Sequence, residues 1–77
     1  MRKAIVCEHG WIICGIVSNR KDCVITLTDA SVVRKWSNGR GIGAISKKEC
    51  RDEYTLDEIG TVEIMQSKVL FEIPCEW

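Results

Sequence analysis

Apolar residues along this chain occur in short runs separated by polar or glycine-containing segments, a pattern typical of β-strands. Residues 23–28 show the clearest alternation, with Cys23, Ile25 and Leu27 on one predicted face. Residues 11–17 form a continuous apolar run, which predicts a strand buried on both faces or with one face in a subunit contact. Further strands are predicted at residues 3–9, 32–36, 59–65 and 69–73.

Breaks in the pattern predict where the chain bends. Gly15 lies inside an apolar run, so we expect a bulge or a close approach of two backbones there. The polar residues 18–22 predict a turn between two strands. Residues 41–48 predict one or two helical turns with Ile42 and Ile45 on one side, too short to be stable without packing.

The last predicted strand places Val69, Phe71 and Ile73 on the core face and ends at Pro74, because proline cannot donate to a sheet ladder. Together these elements predict a mainly β fold in a single domain over residues 1–77. The predicted architecture is a small antiparallel barrel or roll of five to six short strands, with one short helix after the turn at residues 39–43.

Composition restricts the classes of function. With 45% apolar and 29% charged residues, the chain is not typical of a disordered protein. Eleven cations balance eleven anions, which argues against a long nucleic acid as partner. A chain of 77 residues has little interior, so some apolar surface is expected to face a second subunit, and we predict a homo-oligomer.

Neither a secretory signal nor a membrane-spanning segment is evident, so we expect a cytoplasmic protein without membrane contact. The cysteine count is five, which is odd and favours free thiols that pack as small apolar residues. Cys7 and His9 could be neighbouring zinc ligands, but the remaining ligands are not evident. The sequence therefore predicts no metal site and no cofactor.

The strongest candidate for a ligand site is the basic, glycine-rich segment 34–43. Glycines allow backbone amides to converge on an anion, arginines can bind phosphate or carboxylate in two-point contacts, and tryptophan can stack on a base. On an uninterrupted strand the first arginine and the tryptophan would share one face. The predicted ligand-binding residues are Arg34, Trp36, Gly39, Arg40, Gly41 and Gly43.

Other interpretations of this segment remain open. It could be a tight strand-to-helix turn with solvated charges along an edge strand. Trp36 could equally lie in the core or in a subunit interface, where tryptophan is enriched.

A catalytic interpretation pairs Cys7 with His9, which would share one face if the strand continued through both. No orienting group or oxyanion hole is evident in the sequence. We therefore expect a binding protein rather than an enzyme.

The segments Ala30 to Trp36, Gly41 to Gly43 and Leu56 to Glu63 resemble elements of a group of small uncharacterised bacteriophage and prophage proteins. Their shared pattern is Ala-Ser-Val-Ile/Val-Arg-x-Trp, then Gly-Leu/Ile-Gly, then Leu-Asp…Gly-Thr-Val/Leu-Glu. This chain departs from it after the tryptophan, with Ser-Asn-Gly-Arg where the group has Gly-Thr-Thr-Lys. The resemblance implies no activity, only a phage-encoded protein in a bacterial cytoplasm.

Two hypotheses follow. In the first, the protein binds an anionic small ligand, such as a nucleotide-derived signal, in a counter-defence role. In the second, it is a structural or protein-interaction component, either a minor virion protein or one that binds a host protein, and has no small-molecule ligand.

Overall fold

The computed structural model describes residues 2–36 and 41–77. Within them the chain forms five antiparallel strands, which confirms the mainly β prediction. The strands are β1 Arg2–Cys7, β2 Ile12–Lys21, β3 Val24–Trp36, β4 Tyr54–Met65 and β5 Val69–Pro74. Short 3₁₀ helices cover Glu8–Gly10, Gly41–Ser46, Lys48–Glu53 and Gln66–Lys68.

The strands form one sheet in the order β4-β3-β2-β1-β5, curled into a half-barrel. Strands β1, β2 and β3 follow one another as hairpins, β4 pairs with β3 after a longer segment, and β5 returns to pair with β1 on its other side. The 3₁₀ helix that follows β4 is only three residues long, yet β4 and β5 lie at opposite edges of the sheet. The strong curl of the sheet is what allows so short a connection to span them.

Apolar clusters lie on both faces of the sheet, and β1 contributes to each. Ala4 and Val6 belong to the first cluster, whereas Ile5 and Cys7 belong to the second. Successive strand residues point to opposite faces, so four consecutive buried residues require cover on both sides. The curl of the sheet covers one face, and the segment between β3 and β4 covers the other.

That cover comes from two 3₁₀ helices, in agreement with the helical turns predicted near residues 41–48. Ala44 and Ile45 of the first helix and Cys50 of the second are buried against the sheet. The Trp77 indole packs on the same cluster, and its Nε1 donates to the Ile45 carbonyl oxygen at 2.9 Å. Among the described residues, no helix has the length and apolar character needed to cross a bilayer.

Gly15 occupies a close approach of two backbones, as predicted. The β2–β3 register shifts between Cys14 and Ile16, so Gly15 lies in a bulge. A Cβ atom at Gly15 would lie 3.1 Å from the Ala30 Cα and 3.1 Å from the Thr28 carbonyl oxygen. Two neighbouring strands can therefore approach here only because the side chain is absent.

The turn predicted at residues 18–22 is wrong in position. Strand β2 continues to Lys21, and the turn is formed by Asp22 and Cys23, both with positive φ. Two central residues with positive φ match the right-handed twist of a two-residue hairpin. Residues 18–21 are polar because this end of the hairpin is exposed; residues 19–21 are paired with β3, and Ser18 lies at a register shift.

The prediction that Val69, Phe71 and Ile73 share the core face is also wrong. The β1–β5 register shifts, so that Val69 lies opposite Cys7 while Phe71 lies opposite Val6. Val69 therefore packs on the second cluster and Ile73 on the first, and Phe71 stays 48% exposed.

Three strands are joined by a charge cluster at Glu72 of β5. Its carboxylate accepts hydrogen bonds from Arg20 of β2 at 2.9 Å and from Lys3 of β1 at 3.2 Å. The hydrogen bond from Arg20 lowers the pKa of Glu72 most, and the hydrogen bond from Lys3 lowers it further. Partial burial of the carboxyl group acts in the opposite direction, but the pKa remains below its usual value. The cluster therefore favours the ionised carboxylate in the folded state.

We expect Gly15→Ala to lower the free energy of unfolding by about 1–3 kcal/mol, since overpacking against backbone atoms cannot be relieved by a rotamer change. Urea denaturation measures the change. Gly43→Ala is the matched control, because a Cβ there meets nothing within 4 Å. Equal stability of the two variants would contradict the close approach.

We expect Glu72→Gln to lower the free energy of unfolding by about 1 kcal/mol at neutral pH. Because folding lowers this pKa, the contribution of Glu72 is fully present above its ordinary value of 4.5 and is lost as pH falls through the lowered value. The difference in the free energy of unfolding between wild type and Glu72→Gln should therefore disappear in acid. Urea titrations at several pH values test this, with the exposed Glu63→Gln as control; a difference that persists at the acid end would refute it.

Candidate functional site

An open cleft of about 400 Å³ lies where the β1–β2 turn meets the middle of the sheet. Its volume falls in the range of about 300–1,000 Å³ that is usual for small-molecule pockets. The lining mixes an aromatic ring, an ion pair, an imidazole and apolar side chains. The lining residues are His9, Gly10, Trp11, Val32, Val33, Arg34 and Asp57.

The β1–β2 turn places Trp11 at the cleft. His9 and Gly10 both have positive φ, which reverses the chain, and the Cys7 N–H donates to the Trp11 carbonyl oxygen at 2.7 Å. Ile12, the next residue, is buried in the first cluster, so Trp11 points to the opposite side and stays 59% exposed. A large exposed indole is thus held by an ordered backbone.

Three strands form the wall opposite the turn. Val32 on β3 lies between Ile13 on β2 and Asp57 on β4 in the ladder. The β3–β4 register shifts between Val33 and Lys35, so Arg34 falls in a bulge. Bulges redirect side chains and are frequent beside functional sites.

The bulge directs the Arg34 guanidinium toward Asp57. Its Nε lies 3.5 Å from the Asp57 Oδ2, and the two side chains are 62% and 48% exposed. An ion pair this exposed contributes only about 0–1 kcal/mol, because water screens it. A ligand with a phosphate or carboxylate group could therefore compete with Asp57 for the guanidinium.

Trp36 lies outside this cleft. It pairs with Tyr54 across the β3–β4 ladder, with ring centroids 5.9 Å apart and planes inclined at 48°. The Tyr54 hydroxyl in turn donates to the Gly41 carbonyl oxygen at 2.8 Å. The bulge at Arg34 interrupts the alternation on which the predicted shared face of Arg34 and Trp36 depended.

The predicted glycine-rich turn is described only in part, since Gly39 and Arg40 lie outside the described residues. Gly41 has a φ of +72° and begins a 3₁₀ helix that also contains Gly43. Neither glycine lines the cleft. Of the predicted ligand-binding residues that are described, the cleft therefore contains Arg34 alone.

Sequence reasoning missed Trp11 and Asp57 as site residues. The sequence predicts Trp11 in an apolar strand, because no local pattern distinguishes an exposed indole from a buried one. It predicts His9 as an ordinary turn or surface residue, and the structure places His9 in the exposed β1–β2 turn. Strand β1 ends at Cys7 and the chain turns at His9, so the two do not share a strand face.

The buried thiols of Cys7 and Cys14 are poor candidates for nucleophiles at neutral pH. Burial raises the pKa of Cys7, and burial together with the neighbouring Cys75 raises the pKa of Cys14 to about 12. Cys23, by contrast, is exposed in the hairpin turn. Among residues 2–36 and 41–77, no three His, Cys, Asp or Glu side chains are grouped closely enough to hold a metal ion.

No protein-family model, no curated protein and no solved structure matches this chain. The similarity to small phage and prophage proteins therefore stays a prediction made from the residues.

We expect iodoacetamide to alkylate Cys23 first in the native protein. Burial and the neighbouring Cys75 raise the pKa of the Cys14 thiol to about 12, which leaves very little thiolate at neutral pH, so Cys14 should react slowest. Timed quenching and peptide mass spectrometry give the rate at each site, and Cys23→Ser should remove the fast phase. Rapid alkylation of Cys7 would instead favour a nucleophilic cysteine beside the cleft.

Proposed function

We propose that the protein binds an anionic small ligand with an aromatic ring, such as a nucleotide or a nucleotide-derived signal. The observation that carries the proposal is one cleft that contains both the exposed Trp11 indole and the Arg34 guanidinium. Neither group alone would distinguish a nucleotide site from an ordinary surface.

Stacking would supply the affinity for the ring. An aromatic side chain that stacks on a base contributes about 1–3 kcal/mol, and it does so without selecting one base. A ligand ring could stack on the Trp11 indole without displacing other side chains, because more than half of the Trp11 surface is exposed. The ordered turn before it limits the conformational entropy lost on binding.

The guanidinium would supply the preference for an anion. Arginine matches phosphate with two parallel N–H donors, and such charge-assisted contacts are about twice as strong as neutral ones. In the structure Asp57 contacts Arg34 through Nε. A bidentate phosphate would thus gain more from the guanidinium than the carboxylate does.

The resemblance to phage proteins supplies the context of the proposal. A small protein that sequesters a nucleotide-derived signal in the bacterial cytoplasm would suit a counter-defence role. The role requires binding without turnover, so we propose a binding protein rather than an enzyme.

A second candidate function is a protein-interaction component, such as a minor virion or host-factor-binding protein. The observation that favours it is the exposure of Leu70 and Met65, at 63% and 59%. Exposed apolar side chains of this size are typical of protein contacts.

Calorimetric titration with a panel of cyclic and linear nucleotides tests the leading proposal. We expect binding by at least one nucleotide, with affinity reduced about tenfold or more in Trp11→Ala, as loss of stacking implies. Arg34→Ala should weaken nucleotides but spare the corresponding nucleosides, because it removes the contact to phosphate.

Trp36→Ala is the matched control, since it removes an indole outside the cleft. We expect its nucleotide affinity to equal that of the wild type. If Trp36→Ala abolished nucleotide binding while Trp11→Ala did not, the binding site would lie in segment 34–43 and not in the cleft. No binding by any nucleotide would leave the protein-interaction function as the better candidate.

A further inference from the structure

Exposed apolar side chains are concentrated on the two edge strands of the sheet. Six large apolar residues are exposed among those described, and four of them lie on β4 or β5. These are Ile59 and Met65 on β4 and Leu70 and Phe71 on β5, with exposures from 42% to 63%. An edge strand that exposes apolar side chains is a place where another chain can pair.

The backbone of these strands is also incompletely paired. Within the described residues β4 pairs only with β3, and β5 pairs only with β1. Each therefore presents an outer row of N–H and C=O groups that no other described strand satisfies. Such a row can add a strand from another chain through main-chain hydrogen bonds.

The charges on β4 oppose pairing of this edge with itself. The strand carries Asp57, Glu58 and Glu63 and has no lysine or arginine. Asp57 is already paired with Arg34 of β3, but two β4 edges side by side would still bring Glu58 and Glu63 of each copy together, and like charges directly opposite one another are destabilising.

The surroundings of β5 have the opposite sign. Its one carboxylate, Glu72, is paired with both Lys3 and Arg20, and Lys68 directly precedes the strand. Lys68 contacts Glu8 at 3.6 Å, so three cations face two carboxylates in this region. The β5 edge thus complements the acidic β4 edge in charge as well as in apolar character.

We propose that the partner of these edges is a second copy of the chain, with the β4 edge of one subunit paired to the β5 edge of the next. The contact is heterologous, because each subunit uses two different surfaces. Repetition of a heterologous contact produces a closed ring when the rotation between subunits closes. The sheet then continues from subunit to subunit, and no edge strand remains exposed.

Native mass spectrometry of two single variants tests the proposal. Ile59→Asp places a charge on β4, and Leu70→Asp places one on β5. We expect the wild type to form an oligomer of three or more copies and each variant to be a monomer. An equimolar mixture of the two variants should give a dimer, because each supplies the edge that the other lacks.

Asn19→Asp, at an exposed position on the β2–β3 hairpin, is the matched control and should assemble like the wild type. Circular dichroism verifies folding, and Met65→Asp with Phe71→Asp replaces any variant that fails to fold.

Three results would each overturn the proposal. The first is a wild type that remains monomeric at its highest soluble concentration. The second is an oligomer that survives Ile59→Asp, which would indicate pairing of β5 with itself. The third is a mixture of the two variants that stays monomeric while the wild type assembles.

Discussion

The burial of β1 on both faces is the constraint on which the rest of the structure depends. A strand with buried residues at four consecutive positions needs apolar cover on each side, and a five-stranded sheet has only one layer to offer. The chain solves this by curling the sheet over Ile5 and Cys7 and by folding two 3₁₀ helices over Ala4 and Val6. In 77 residues this leaves almost no side chain to cover the two edge strands.

Irregularities in the ladder are as important as the strands themselves. The missing side chain at Gly15 permits a close approach to β3, where Asp29 and Ala30 lie opposite one residue of β2. A second irregularity, at Arg34, places the guanidinium near Asp57 and beside the Trp11 turn. An extra residue in β3 is thus present both at the close approach and at the cleft.

Local pattern was enough to predict the mainly β class and the centres of the strands, because alternation and apolar runs depend on neighbours in sequence. The two strands predicted at residues 23–28 and 32–36 are a single strand, β3, and β4 begins earlier than predicted, at Tyr54. A glycine inside an apolar run indicated the close approach at Gly15, although the atoms it approaches lie on the neighbouring strand. The hairpin turn was misplaced because Asp22 and Cys23 include no glycine, so their left-handed conformation had no marker. The predicted shared faces of Arg34 with Trp36 and of Val69 with Phe71 are wrong, because a bulge lies within each of the two strand segments and changes the face of the residues beyond it. The cleft could not be predicted, since it joins a turn at Trp11 to strand positions more than twenty residues away.

Tyr54 connects the end of β3 to the first 3₁₀ helix that follows it. Its ring packs against Trp36, and its hydroxyl donates a hydrogen bond to the Gly41 carbonyl oxygen. One side chain therefore contacts the residues on either side of positions 37–40. The segment that covers the first cluster begins at Gly41, so this hydrogen bond ties the start of the covering helices to strand β4. The position of the cover over Ala4 and Val6 and the end of the β3–β4 ladder therefore depend on the same aromatic side chain.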